Sequence, residues 1–308
     1  MLNFYKTIDG RIVNIPALEP GCWINVVSPE PEEISYLIDE LGIDRGFVNS
    51  SIDEEESSRI EMEDDQTLII VDTPAVEKQA DDTMLYYTLP YGIVITDKYF
   101  VTISSRKNIV IDEISSGVVK NIQTNQKTRF LLTILLRISA KFLQYLKQID
   151  KISSSVEAEL NKSMKNQELI QLFGLEKSLV YFSTSLKGNQ VTMEKILRGR
   201  IIKLYEEDRE LLEDVIVEIN QAIEMCSIYT NILSGTMDAF ASIISNNLNI
   251  VMKKLTAVTI IMAIPTMIFS FYGMNTNLPL PFFWFPLALS GLITIIVAIL
   301  FIKKNMFN

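Results

Sequence analysis

Two long stretches near the end of the chain carry no charged residue, Leu255–Tyr272 and Leu278–Ile302. A helix needs roughly 20 residues to cross a hydrocarbon core of about 30 Å, so each stretch is long enough to span a membrane. Lys253-Lys254 stands just before the first and Lys303-Lys304 just after the second. Under the positive-inside rule both pairs face the cytoplasm. The N-terminal part and the C-terminus are then inside, and the turn between the spans is outside. Trp284 and its phenylalanine neighbours fit the aromatic belt of the outer interface. Two buried core helices of a soluble protein fit neither these lengths nor the lysine brackets.

The charge distribution supports this division. All 38 acidic residues lie at or before Asp238, together with 24 of the 28 Lys and Arg, and everything after Asp238 carries four lysines and no acid. The opening MLNFYKTIDGRIVNIP lacks the basic and apolar blocks of a signal peptide, so the N-terminal part is expected to stay in the cytosol. With no histidine and only two distant cysteines, Cys22 and Cys226, there is no disulfide framework, zinc site or histidine-based catalysis to expect. An acidic soluble part argues against nucleic acid and is compatible with cationic partners. No phosphate-binding glycine loop or nucleophile–base pair is present, so the chain is not expected to be an enzyme or to use an organic cofactor.

Upstream of Gly273 a second pattern appears. Asp238, Ser245, Met252, Thr259, Thr266 and Gly273 recur at heptad spacing, with Ser242, Asn249, Thr256, Ala263 and Ser270 offset by four. Nearly every member is small or polar, while the positions between are Ile, Leu and Val. This inverts a coiled coil, whose seam is apolar. Close packing of small residues between membrane helices explains Ala263 or Ser270, but not Asp238, Asn249 and a run of eleven positions. A polar stripe on an apolar helix faces water or another such stripe. Two spans cannot enclose a water-lined path, so several copies are expected to surround a symmetry axis. A lining of hydroxyls and amides with one carboxylate and no cation favours cations.

Residues 1–105 read as α/β, with strands expected at Arg11–Ile15, Cys22–Val27, Thr67–Val71, Met84–Leu89 and Ile93–Ile103 and a hairpin turn at Thr96-Asp97-Lys98. Ser28 is expected to cap a helix reaching about Leu41, with Pro29 at its first position. From about 109 to 250, helical spacing predicts two or three long helices with breaks near 163–168 and 187–200, the last running into the first span.

Tyr272-Gly273-Met274-Asn275 at the outer end of a first span, followed by a second span and closing lysines, resembles the CorA family of magnesium channels. The resemblance implies a homopentameric funnel: an α/β cytosolic domain (1–108), a helical stalk (109–250), a pore-lining helix (251–272), an external loop (273–283), a second membrane helix (284–303) and a cytosolic tail (304–308). It implies Mg²⁺ as substrate, with Co²⁺ and Ni²⁺ as further candidate ions, and Mg²⁺ as regulatory ligand, uptake across the plasma (inner) membrane, and the chain itself, lipid and hydrated divalent cations as partners. Gly273, Met274 and Asn275 become the selectivity filter, and Asp238, Asn249, Met252 and Thr266 pore rings. Met252 is then a candidate hydrophobic constriction near the cytoplasmic entrance. Regulatory Mg²⁺ is expected between neighbouring cytosolic domains at Asp214, with Asp53 as the partner acid. Thr276-Asn277-Leu278-Pro279-Leu280-Pro281 departs from the acid-bearing loop of many relatives, so capture at the mouth falls to amide and carbonyl dipoles.

These residue types suit Mg²⁺, which sheds its octahedral water shell reluctantly. Asparagine oxygens accept hydrogen bonds from that shell without the grip of carboxylates. Gly273 is expected to allow a tight helix exit through dihedrals closed to other residues. The competing readings are a Zn²⁺ or other transition-metal transporter on the same scaffold and a membrane-anchored sensor without transport. Lack of His, and of Cys in the stripe, disfavours soft-metal ligation.

Overall fold

The computed structural model describes residues 1–79, 83–120, 122–163, 166–198, 202, 204–274, 282, 284–304 and 306. In chain order the elements are β1 (Leu2–Ile8), β2 (Arg11–Ile15), β3 (Trp23–Val27), α1 (Pro31–Ser35, prolonged by a π-helical turn, Tyr36–Glu40) and α2 (Arg45–Ile52). Then come β4 (Arg59–Glu63), β5 (Gln66–Lys78), β6 (Met84–Ile95), β7 (Phe100–Ser104) and α3 (Ile109–Ser115). The rest is helical: α4 (Lys127–Ser163), α5 (Asn166–Leu197), α6 (Glu206–Tyr272) and α7 (Trp284–Lys303). The chain divides into two compact units, Met1–Gly235 and Thr236–Asn308.

The first unit is built on a seven-stranded sheet in the order β2-β1-β3-β7-β6-β5-β4. Only the pairing of β3 with β7 is parallel. Successive side chains of a strand point to opposite faces. Ile24, Val26, Leu68, Ile70, Val94, Val101 and Ile103 accordingly form one core with Leu37, Phe47 and Val48. Trp23 and Phe100 turn the other way and meet Phe130 of α4 at ring separations of 5.2 and 4.8 Å. The expected strands are present, and the Thr96–Lys98 turn is closed by Thr96 N–H donating to the Tyr99 carbonyl (3.0 Å). Neither β1 nor β4 was among the expected strands.

Two local expectations need correction. The helix after β3 starts at Pro31, capped by Glu30 in a reciprocal arrangement with Glu33. Ser28 does not cap it: its φ is +45°, and its backbone N–H and hydroxyl bind the carbonyls of Ser104 and Ser105. The end of β7 thus claims Ser28, and a second proline opens the helix instead. The second correction is that β6 is one strand across Pro90 and Gly92, where a break between two runs was expected. Gly92 permits this because Ser51 of α2 lies against it; a Cβ at 92 would stand 2.0 Å from the Ser51 hydroxyl.

The junction of α5 with the long β5–β6 hairpin is polar. The side-chain amide of Asn189, fully buried, accepts from Asp72 N–H (2.8 Å) and the Ser58 hydroxyl (2.9 Å) and donates to the Asp72 carbonyl (2.8 Å). The outermost β4–β5 pair is Arg59–Ile70, so Asn189 serves the β5 backbone just beyond the point where β4 begins. The largely buried Asp72 carboxyl lies against the Ser58 and Ser185 hydroxyls, and desolvation raises its pKa. A carboxyl raised on folding stabilises in full below its unfolded pKa, and that contribution is lost as pH rises through the folded value. Asp72→Asn is therefore expected to raise the thermal midpoint by a few degrees at pH 7 and to leave it nearly unchanged at about pH 3.5. Thermal unfolding of the full chain at the two pH values checks this.

Candidate functional site

The second unit holds the outer part of α6 and all of α7. Both helices are long and apolar enough to cross a membrane. Between 250 and 272 the residues of α6 that are not exposed are Ile250, Lys253, Ala257, Ile261, Ile264, Pro265, Ile268 and Tyr272, and they mark the side facing α7. Near the turn the Tyr272 and Phe285 rings meet at 6.2 Å. Asp238, Ser242, Ser245, Asn249, Met252, Thr256, Thr259, Ala263, Thr266, Ser270 and Gly273 are all exposed. At about 100° per residue, their line lies about 150° around the helix from the side facing α7. The spacing pattern is thus a continuous uncovered surface in the folded chain, and Thr259, Ala263, Thr266 and Ser270 line a shallow depression on it. Large apolar residues flank it on both sides, among them Val251, Leu255, Met262 and Phe269 on one and Ile260, Met267 and Phe271 on the other.

Three threonine hydroxyls on this surface have a fixed polarity. Thr256 donates to the Met252 carbonyl (2.8 Å), Thr259 to Leu255 (2.8 Å) and Thr266 to Met262 (3.2 Å). Each hydrogen is spent on the carbonyl four residues back, so the outward-facing part of each oxygen can only accept. Such a wall suits the hydrogens of water held around a cation.

At the end of α6, Gly273 N–H donates to the Phe269 carbonyl (2.9 Å) and Met274 N–H to Phe271 (3.3 Å). Gly273 does not take a left-handed conformation. Its expected role is corrected accordingly. A Cβ there would lie 3.3 Å from the Phe269 carbonyl oxygen, so crowding at the last turn favours glycine. Asn275 lies outside the described residues.

Asp214 on α6 and Asp53 at the end of α2 are both exposed. No group of three metal-ligating side chains occurs among the described residues. In the run Asp53–Glu56, Glu54 is held by Arg106 through two hydrogen bonds (2.7 and 2.9 Å), and Glu56 pairs with Arg59. The Asp53 carboxylate accepts only the N–H of Glu55 (2.9 Å). Pairing within the chain thus removes two of the four acids, and Asp53 and Asp214 keep faces open to a ligand.

A sheet-bearing α/β unit, long helices and two helices long and apolar enough to cross a membrane, one with a polar exposed stripe, fit a membrane protein with a cytosolic-type domain. The model of the family described as CorA-like Mg2+ transporter protein matches residues 19–304. The cobalt/magnesium transport protein CorA of Methanocaldococcus jannaschii is 31% identical over 297 residues, 92% of this chain and 90% of that one. The CorA protein of Thermotoga maritima is 22% identical over 320 residues, 98% of this chain and 88% of that one. The complete structure of the M. jannaschii magnesium transporter superposes with a TM-score of 0.80 at 26% identity, covering 99% of this chain and 96% of that one. The ZntB cytoplasmic domain from Vibrio parahaemolyticus shares the fold at 13% identity, with a TM-score of 0.60 over 80% of this chain and 97% of that one. The chain belongs to the CorA-like Mg2+ transporter family.

Proposed function

We propose that the chain is a homopentameric channel of the plasma (inner) membrane that admits hydrated Mg²⁺, with both termini cytoplasmic. The exposed stripe of α6, far from α7 and lined by acceptor-only hydroxyls, carries this reading. One α6–α7 pair cannot surround a path, and copies arranged about an axis bring the stripe inside and the flanking apolar residues together. Asn275 forms the outer filter ring with Gly273 and Met274, Asn249 and Asp238 lie further in, and Met252 forms the constriction. The names of the curated relatives, which specify magnesium or cobalt and magnesium, support the same ion class.

Cytosolic Mg²⁺ closes the channel by bridging carboxylates of neighbouring copies, Asp214 from one and Asp53 from the next. Their open faces suit an ion that keeps most of its waters and takes one or two carboxylates. Uptake into proteoliposomes loaded with an ion-sensitive dye is the test. Mg²⁺ influx independent of a pH gradient is expected, whereas proton-coupled Zn²⁺ influx without Mg²⁺ influx would replace this reading with a zinc transporter. In the same assay Asp214→Lys is expected to raise the internal Mg²⁺ needed for half-inhibition roughly tenfold, equivalent to about 1.4 kcal/mol of lost attraction. An unchanged midpoint removes Asp214 from the gate.

A further inference from the structure

Thr294 of α7 has a buried hydroxyl oxygen with no hydrogen-bond partner. The threonines of the α6 stripe behave differently, each returning its hydrogen to its own helix. In α6, Pro265 sits inside the helix. It has no N–H, so the Ile261 carbonyl lacks the donor four residues on. In hydrocarbon such groups are costly unless a neighbouring side chain serves them.

The placement of these two groups matches. Ile261 and Pro265 are among the residues of α6 turned towards α7, and Thr294 falls about one turn beyond Ser290 and two beyond Pro286, the buried pair of α7. The Tyr272–Phe285 ring contact fixes the relative height of the helices. Thr294 lies nine residues beyond Phe285, about 13.5 Å along the axis. Nine residues back from Tyr272 is Ala263, and the Ile261 carbonyl points along α6 to that level.

We propose that Thr294 donates its hydroxyl hydrogen to the Ile261 carbonyl, forming a latch between α7 and α6 across the gap that Pro265 opens. A proline bends its helix away from its own side. With Pro265 facing α7, the bend leans residues 266–274 towards the stripe, and the latch holds that bend. The structure holds the unlatched conformation. The proposal rests on the transport reading only for its consequence, a narrower outer end of the path.

The bond can be tested without transport. The dipeptide Ile-Met occurs once in the sequence, at Ile261–Met262. Full-length protein made with carbonyl-¹³C isoleucine and ¹⁵N methionine therefore gives a single carbon–nitrogen correlation, from the Ile261 carbonyl, by solid-state NMR in lipid bilayers. Spectra are taken with and without Mg²⁺. Thr294→Val is expected to move this resonance upfield in at least one condition, and Thr294→Ser to leave it in place. In a Pro265→Ala background, where a backbone N–H returns, Thr294→Val is expected to move nothing. Superimposable wild-type and Thr294→Val spectra in both conditions overturn the latch. Failure of the transport reading would appear only in the uptake assay and leave this resonance readable.

Discussion

Replacing Thr259 and Thr266 together by valine is expected to lower Mg²⁺ uptake into proteoliposomes at least tenfold, while the matching serine pair stays within about threefold of wild type. Valine keeps the shape of threonine and removes its oxygen. Each hydroxyl hydrogen is bound within α6, so the substitution deletes a hydrogen-bond acceptor without leaving a lumen-facing donor unpaired. Hydrogen bonds involving charged groups are worth about 1.5–3 kcal/mol, and waters polarised by Mg²⁺ approach that class. Loss at two levels in every copy readily exceeds about 1.4 kcal/mol, the equivalent of a tenfold change. Uptake equal to wild type would mean that ions do not pass this face. By the same logic Asn249→Ala and Asn275→Ala are expected to reduce uptake, and a sensor without transport predicts that neither changes anything.

The largest expected effect on folding is at Gly92. A Cβ there would meet not only the Ser51 hydroxyl at 2.0 Å but also Ser51 Cβ at 2.4 Å and Cα at 3.1 Å. Ser51 cannot easily give way, because its hydroxyl is tied to the Phe47 carbonyl (2.7 Å) and Phe47 and Val48 are buried in the core beside it. Gly92→Ala therefore pushes α2 off β6 at a cost of about 3 kcal/mol. For a unit of this size that corresponds to about 6–12 °C in thermal midpoint. Adding Ser51→Gly is expected to recover part of the loss, because only the close backbone approach then remains. Thermal unfolding of the three proteins in detergent decides it.

The stripe was legible in the sequence because an apolar helix shows any polar residue, and spacing alone places Ser242, Asn249, Thr256 and Ala263 together. The structure adds that α7 leaves them uncovered. Spacing could not give the direction of the threonine hydrogens, since that depends on rotamer. β4 went unseen because Arg59–Glu63 alternates Glu with Ile and Met in a mostly exposed strand. β6 looked divided because Pro90 and Gly92 read locally as breakers, while the need for glycine at 92 depends on Ser51, about forty residues earlier. The proposed pairing of Asp214 with Asp53 would form between copies, so neither periodicity nor a single fold could display it. The orphan hydroxyl of Thr294 was equally hidden, as one threonine in an apolar span looks like packing.

The inward commitment of the threonine hydrogens bears on bioenergetics. Protons move quickly along chains of groups that both receive and release hydrogen, and an energised membrane cannot tolerate such a wire at an open conduit. Threonine hydroxyls locked in one sense cannot take part in that relay, so at these three levels the wall of the proposed path would not short-circuit the proton-motive force.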